Sequence, residues 1–528
     1  MKRLQTLTGW PFYVWFFVLY PVLYLYAHNI ALVESRDVLV AIVLALAAVT
    51  VIFGGLLFIF KDTNRAGIIT TLLSLVFFSY GHIFRFLNQR LIGHFELTHQ
   101  ITFPVTVLLT GIGIYILFRF GTKVNQITSY LNITTVILLL FPIYEVVSFV
   151  RLRAEIRPIT LNPVEAETDL TGELPDIYYI ILDAYGRADW LQEQFGFDNS
   201  NFINELSERG FYIGTRSCSN YTRTLLSIPS ALSMDYVDVA GVEDFGRSAS
   251  TLFTSRYLEK NDRVGNALIT RGYTYLYFVS GFVVTNSGSK NAVRIDFGPS
   301  GTFAAESNTR HHFWNTFLPT TLIGPFYEYQ EENSGNSYSW TSPNRILMEL
   351  NELKETSLRD EPTFTFAHIV KPHYPYVFNE DGTLIPKPAG WEQDDDLRAK
   401  NANELYIEQV RFINRQILDV VDEIIANSET PPIIILQGDH AWNAQNMSLT
   451  EGDRVPILNA YLVPPEMEER LYSSISPVNS FRLLFDTSFG ANLGLLEDKS
   501  FTSQLNTPLN VRAVSADTYQ TWCETSTE

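Results

Sequence analysis

Pro432-Ile-Ile-Ile-Leu-Gln-Gly-Asp-His440 is the stretch from which the rest of the chain is read. A short, unbroken β-branched run fits a strand buried on both faces. It ends in Gly438, Asp439 and His440, an oxygen and a nitrogen ligand side by side. Burying such groups without partners is costly, so a shared ion is an economical explanation of the pair. A second run, Ile177-Tyr-Tyr-Ile-Ile-Leu182, leads straight into Asp183. A lone Asp at a strand end is usually a turn former. In parallel sheets, however, chemistry gathers at the carboxyl ends of strands, and two such ends here carry carboxylates.

Outward from these two runs, the chain from Pro175 alternates short apolar stretches with amphipathic ones, which predicts an α/β fold: a mainly parallel sheet flanked by helices. Further strands are expected at Tyr273 to Val279, Thr363 to Ile369 and Ile457 to Leu462. Helices are expected at Asn201 to Arg209, Leu225 to Met234 and Leu397 to Ala426. Ser280 to Asn344, rich in Gly, Ser and Asn, reads as a loop-dominated insertion.

The amino-terminal part has a different composition. Five apolar stretches, Trp10 to Tyr26, Val38 to Phe60, Ile68 to Phe86, Phe103 to Phe118 and Tyr130 to Val150, approach the roughly 20 residues that cross a bilayer. An α-helical transmembrane bundle of about five spans is therefore expected over residues 1–150, with a proline-interrupted linker over 151–174 and an extracytoplasmic domain over 175–528. Lys2, Arg3, Lys61, Arg65, Arg119 and Lys123 fall on one side of alternating spans, which predicts a cytoplasmic amino terminus in the plasma membrane. Glu145 is the one plainly intramembrane acid, read either as interfacial or as functional. Residues 1–150 carry nine Lys/Arg and five Asp/Glu, +4 against −19 for the whole chain, leaving about −23 for the remainder. That acidity, without a basic cluster, argues against nucleic acid as a partner and for membrane lipids. Two cysteines, Cys218 and Cys523, rule out a disulfide scaffold or a four-cysteine zinc module and allow one disulfide.

Ser219-Asn-Tyr-Thr-Arg-Thr-Leu-Leu-Ser-Ile-Pro-Ser230 supplies a third element. Thr224 precedes an apolar helical stretch and has two readings: an N-cap for a free amide, or a nucleophile that ligates a metal and presents phosphate to a helix amino terminus.

In this order and spacing, Ile181-Leu-Asp183, Thr224 through Ser230, Pro372-His-Tyr-Pro375 and Gly438-Asp-His440 resemble the sulfatase-like hydrolase/transferase branch of the alkaline phosphatase superfamily. The resemblance covers most of residues 175–495, and its nearest functional analogues are lipoteichoic-acid synthases and phosphoethanolamine transferases. It implies that Asp183, Thr224, Asp439 and His440 surround one divalent cation, with Thr224 as the nucleophile and Thr222 as the second choice. It also implies that His373 contacts the phosphate or protonates the leaving group. Arg223 is a phosphate-binding candidate, and His311, His312 and Trp314 are candidates for the substrate site, each balanced by a plain surface or packing role. Two departures stand out. Cys218 lacks the proline of the formylglycine sulfatase motif, and Ser227-Ile-Pro-Ser-Ala231 has Ala where that motif needs Arg. No histidine follows His440, so one ion is expected unless His368 or His373 builds a second site. Two carboxylates, an alkoxide and an imidazole suit manganese or zinc and tolerate magnesium. The implied activity is phospho-group transfer on a cell-surface glycan or lipid-linked phosphoester. Its rivals are a phosphatase or phosphodiesterase with the same residues and a non-catalytic membrane sensor.

Overall fold

A computed structural model of the chain describes residues 10–30, 33, 35–91, 97–120, 124–156, 158–165, 174–239, 247–282, 284–285, 289–295, 313–314, 316–327, 329, 343–385, 395–442 and 450–524. The chain forms two compact units. One comprises Met1–Glu155, Ser307–Asn336 and Lys387–Asp395, and the other Ile156–Glu306, Ser337–Pro386 and Asp396–Glu528.

The first unit is helical. Its helices are α1 (Tyr13–His28), α2 (Ser35–Phe60), α3 (Thr63–Leu91), α4 (His99–Phe120) and α5 (Val124–Glu155). They stand where the five apolar stretches were expected. Four are long and apolar enough to cross a membrane; α1, with 16 residues and Pro21 inside it, is shorter. Leu44, Val51, Phe58, Leu108 and Phe141 lie exposed on these helices, a surface that acyl chains rather than water would cover. Inward, Tyr13, Val14 and Val18 pack against Val49, Phe53 and Ala66. Polar side chains join the helices: Asn132 accepts from the Tyr13 amide at 2.9 Å and donates to the Trp10 carbonyl at 2.9 Å, and Thr128 donates to Asn64 at 2.9 Å. Such bonds are satisfied in place because hydrocarbon offers no alternative partner. Glu145 lies 3.5 Å from His28.

Part of the expected soluble insertion belongs to this helical unit. Phe313 and Phe317 pack with Val22, Val38 and Ala41, and Trp314 lines the same cluster. The aromatic residues that broke the Gly/Ser/Asn composition of the insertion are the ones that bury themselves among the helices.

The second unit contains, in order, β1 (Ile177–Leu182), α6 (Ala188–Phe195), α7 (Ser200–Glu208), β2 (Tyr212–Ile213), α8 (Thr224–Ser233), α9 (Arg247–Asn261), α10 (Arg263–Ile269), β3 (Thr274–Phe278), β4 (Val293–Ile295), α11 (Pro343–Glu355), β5 (Thr363–Ile369), α12 (Asp395–Asn427), β6 (Ile433–Gly438), β7 (Asn459–Leu462), α13 (Pro477–Ser488), β8 (Phe501–Gln504), β9 (Thr507–Ala513) and α14 (Ala516–Trp522). The sheet order is β2-β7-β6-β1-β5-β3-β4. β6, β1, β5, β3 and β4 run parallel; β7 pairs antiparallel with β6, and the edge strand β2 pairs antiparallel with β7. The expected mainly parallel sheet is thus present with one reversed strand, β7, inside the edge strand β2. Edge strands of two or three residues, β2 and β4, show no periodicity and escaped the sequence reading. The expected strand at Ile457 starts two residues later, at Asn459.

β1, β5 and β6 are buried along their whole lengths, which explains why their sequences are apolar without alternation. One face packs Tyr179, Phe366 and Ile435 against Ile228 and Leu232 of α8, Leu268 of α10 and Phe481 and Phe485 of α13. The α8 stretch is therefore held by the sheet it serves. β8 and β9 form a separate hairpin.

Cys218 and Cys523 are bonded across 305 residues of sequence, tying the segment before α8 to the carboxyl-terminal α14. Arg187 reinforces this junction by donating to the carbonyls of Ser217 and Trp522. Constraining so long a loop removes much unfolded-state freedom. Cys523→Ser is expected to lower the stability of this unit by about 2–4 kcal/mol, read as a lower thermal midpoint with an unchanged circular dichroism spectrum; an unchanged midpoint would remove the disulfide from the account.

Candidate metal centre

Register brings two carboxylates together. Leu182 of β1 pairs with Gly438 of β6, so Asp183 and Asp439 each stand one residue beyond the same rung of adjacent parallel strands. Such strands are about 4.8 Å apart. Gly438 is required at this rung: a Cβ there would lie 2.3 Å from the Tyr185 carbonyl oxygen. The turn after β1 is held in a conformation few side chains adopt, with Ala184 at φ 63°. It is fixed from two sides, since the Ala184 amide donates to Asp439 Oδ1 at 2.9 Å and Tyr406 of α12 donates to the Ala184 carbonyl at 2.8 Å.

β5 contributes on the other side of β1. His368 is the register partner of Ile181, and its Nε2 lies 3.3 Å from Asp183 Oδ2 while its Nδ1 meets the Thr285 hydroxyl at 3.0 Å. Asp183, His368 and Asp439 are all buried, with ligand atoms within 4.8 Å of one another.

Thr224 opens α8 as its first helical residue. The N-cap position is Arg223, in extended conformation and without a side-chain cap hydrogen bond. Thr224 Oγ1 instead meets His440 Nε2 at 3.1 Å. The N-cap reading of Thr224 therefore does not hold: its hydroxyl faces the strand ends.

His440 Nε2 also lies 3.4 Å from Asp439 Oδ2 and 3.9 Å from Asp183 Oδ1. Its Nδ1 lies 3.0 Å from the Ala441 carbonyl, and its Nε2 faces the carboxylates. The buried Arg454 guanidinium lies against the same ring, Nη2 3.0 Å from Nδ1. Burial first, then Arg454, holds His440 well below the usual imidazole range. The four residues chosen from sequence as ligands, Asp183, Thr224, Asp439 and His440, thus converge, and His368 joins them.

The other candidates are less central. His373 stands on the loop beside the centre: its amide donates to the Asp183 carbonyl at 3.1 Å, its Nδ1 lies 2.5 Å from the Tyr374 carbonyl, and its imidazole acts electrostatically on Asp183. The loop carrying it contains two cis prolines, Pro372 and Pro375, and is held by the buried Lys371 ammonium on the Pro375 carbonyl at 2.8 Å. Arg223 pairs with Glu451 at 2.8 Å and donates to the Ser503 carbonyl at 3.1 Å. Thr222 Oγ1 lies 3.4 Å from Thr502 Oγ1 on β8. Trp314 belongs to the helical unit, and His311 and His312 lie outside the described residues. Arg454 and Glu451 were not found in the sequence, where they sit among ordinary polar residues with no motif to mark them. His368 did carry a signal, as the single imidazole in an otherwise uncharged strand.

The fit to a cation can be tested on the buried atoms. Asp183 Oδ1, Asp439 Oδ2 and His368 Nε2 lack hydrogen-bond partners among the described residues, although such atoms are rarely left so. The electrostatics agree. Burial pushes Asp439 up, and the neighbouring Asp183 carboxylate pushes it further, to about 7. Burial also opposes ionisation of Asp183, but His373, His368 and His440 outweigh it and hold this carboxyl well below the usual range. Two carboxylates forced apart in this way can both ionise when a divalent cation neutralises them. The donor set of oxygen and imidazole nitrogen suits zinc or manganese.

No family model matches the chain, and no curated protein matches it. Among solved structures, it is similar to the integral membrane lipooligosaccharide phosphoethanolamine transferase A of Neisseria meningitidis, with 12% identity and a TM-score of 0.43, covering 92% of this chain and 97% of that one. It is also similar to the periplasmic domain of Escherichia coli EptC, with 11% identity and a TM-score of 0.40 over 65% of this chain and 94% of that one. A Vibrio parahaemolyticus protein of the alkaline phosphatase superfamily is 13% identical with a TM-score of 0.39, over 69% and 86% of the two chains. At TM-scores below 0.5 these likenesses carry no weight in assigning an activity, which rests on the side chains described above.

Removal of one donor should be felt directly. His368→Ala is expected to weaken zinc or manganese binding by at least about 10- to 100-fold, measured by competition with a chromophoric chelator; affinity equal to that of the wild type would exclude His368 from the ion's surroundings.

Proposed function

We propose that the chain is a membrane-anchored, metal-dependent phospho-group transferase of the sulfatase-like, alkaline phosphatase superfamily, acting outside the cytoplasm on lipid- or glycan-linked phosphoesters. The observation that carries this reading is the Thr224 hydroxyl at a helix amino terminus, 3.1 Å from His440, facing two strand-end carboxylates with unpartnered oxygens. A hydroxyl so placed is a nucleophile beside an anion-binding helix end.

Asp183, Asp439, His440 and Thr224 would hold the ion, with His368 beside them. A divalent cation there supplies a lower pKa for the Thr224 hydroxyl and charge neutralisation for the phosphoryl oxygens. Thr224 Oγ1 forms a bond to phosphorus as the donor's ester P–O bond breaks. The threonine proton passes to solvent, and His373 gives a proton to the departing oxygen. The acceptor hydroxyl then attacks the phosphothreonine, its proton returns to His373, and the P–O bond to Thr224 breaks as that oxygen is reprotonated from solvent. Buried, prefixed side chains lower the barrier because their orientation is set before the substrate arrives.

The membrane helices support a lipid-linked donor, since anchorage raises its local concentration at the site without added affinity. The Cys218–Cys523 bond supports an oxidising, extracytoplasmic setting for the second unit. The departures from the formylglycine motif disfavour sulfate-ester hydrolysis.

Full-length protein in nanodiscs, loaded with zinc or manganese, is expected to release p-nitrophenol from bis-p-nitrophenyl phosphate. Thr224→Ala should reduce turnover by roughly 10³-fold or more, and peptide mass analysis of a rapid quench should find a p-nitrophenylphosphoryl group on the Thr224 peptide. Turnover retained in Thr224→Ala would remove this residue from the mechanism.

A further inference from the structure

Beside the segment that leads into Thr224 lies a cleft that none of the steps above uses. It measures about 420 Å³ and is bounded by the β8–β9 hairpin, the turn at Thr450 to Gly452 and the start of α14. Pockets for small molecules run roughly 300–1,000 Å³, so this one is sized to seat a small ligand or a single unit of a longer one.

Side chains that carry hydroxyls or amides predominate in its lining. Among the described residues, hydroxyl-bearing side chains such as Thr502, Thr507 and Thr518, the amides Gln504 and Asn510, the Glu451 carboxylate and the Arg512 guanidinium line it, and none of these lining side chains is aliphatic or aromatic. Hydroxyls and amides both donate and accept. A ligand that matches such a wall must carry several groups that also do both, which is the chemistry of a saccharide.

The cleft is coupled to the metal centre by hydrogen bonds. The Thr222 amide donates to the Phe501 carbonyl at 3.1 Å, and Arg223 donates to the Ser503 carbonyl, fastening β8 to the two residues before Thr224. Glu451 bridges further: one carboxylate oxygen takes Arg223 at 2.8 Å and the other takes Arg454 at 3.4 Å, and Arg454 lies against His440.

We infer that this cleft is a saccharide-binding subsite, which seats the glycan whose hydroxyl receives the phospho-group. The acceptor role rests on the transferase reading above; binding of the sugar does not.

Saturation-transfer NMR on the full chain in nanodiscs, with glucose, galactose and N-acetylglucosamine as probes and hexane-1,6-diol as control, tests it. At least one sugar is expected to give a saturable signal while the diol gives none. Gln504→Ala with Asn510→Ala, both exposed side chains whose loss spares the core, should weaken that sugar about 5- to 50-fold, the loss of two hydrogen bonds, while hydrolysis of bis-p-nitrophenyl phosphate is unchanged. Absence of binding by all three sugars, or equal binding by the double variant, overturns the inference. A wild type that binds sugar but cleaves no diester upholds the subsite and sinks the transferase reading instead.

Discussion

Two carboxylates at neighbouring strand ends repel, and much of the second unit can be understood as the means of holding them there. Asp183 and Asp439 are each about 2% exposed and stand one residue beyond the same rung of parallel strands, so water cannot separate their charges. At 4–5 Å and low effective dielectric that repulsion is worth several kcal/mol. A cation between them turns the same proximity into attraction, which is why the orphaned oxygens are the most informative atoms in the molecule.

The surroundings prevent relaxation. Asp439 cannot turn away, because one oxygen is occupied by the Ala184 and His440 amides. The Ala184 turn cannot relax toward ordinary φ without giving up the bond that Tyr406 makes to its carbonyl. Gly438 admits no side chain. On the third side α8 is fixed by its apolar residues in the core, which delivers Thr224 to the strand ends instead of leaving it as a helix cap. Rigid strands and a packed helix orient such groups more tightly than loops would.

The sequence made the strands of the site legible because burial on both faces leaves an unmistakable apolar run ending in charge. β1, β5 and β6 were found nearly to the residue, and with them Asp183, Asp439 and His440. Thr224 was legible as a position but not as a choice between cap and nucleophile, since that depends on the direction of one hydroxyl. Arg454 and Glu451 were invisible, because an arginine that lies on an imidazole 14 residues away is set by tertiary packing alone. The insertion misled in part: its composition reads as loop, yet Phe313 and Phe317 make it a piece of the helical unit.

Crystals of the full chain soaked with manganese, with anomalous differences collected at the metal edge, test the account at its centre. A peak is expected, bonded to the carboxylates of both Asp183 and Asp439 at the roughly 2.0–2.2 Å of metal–oxygen contacts. Ordered carboxylates with no peak between them at saturating metal would contradict it.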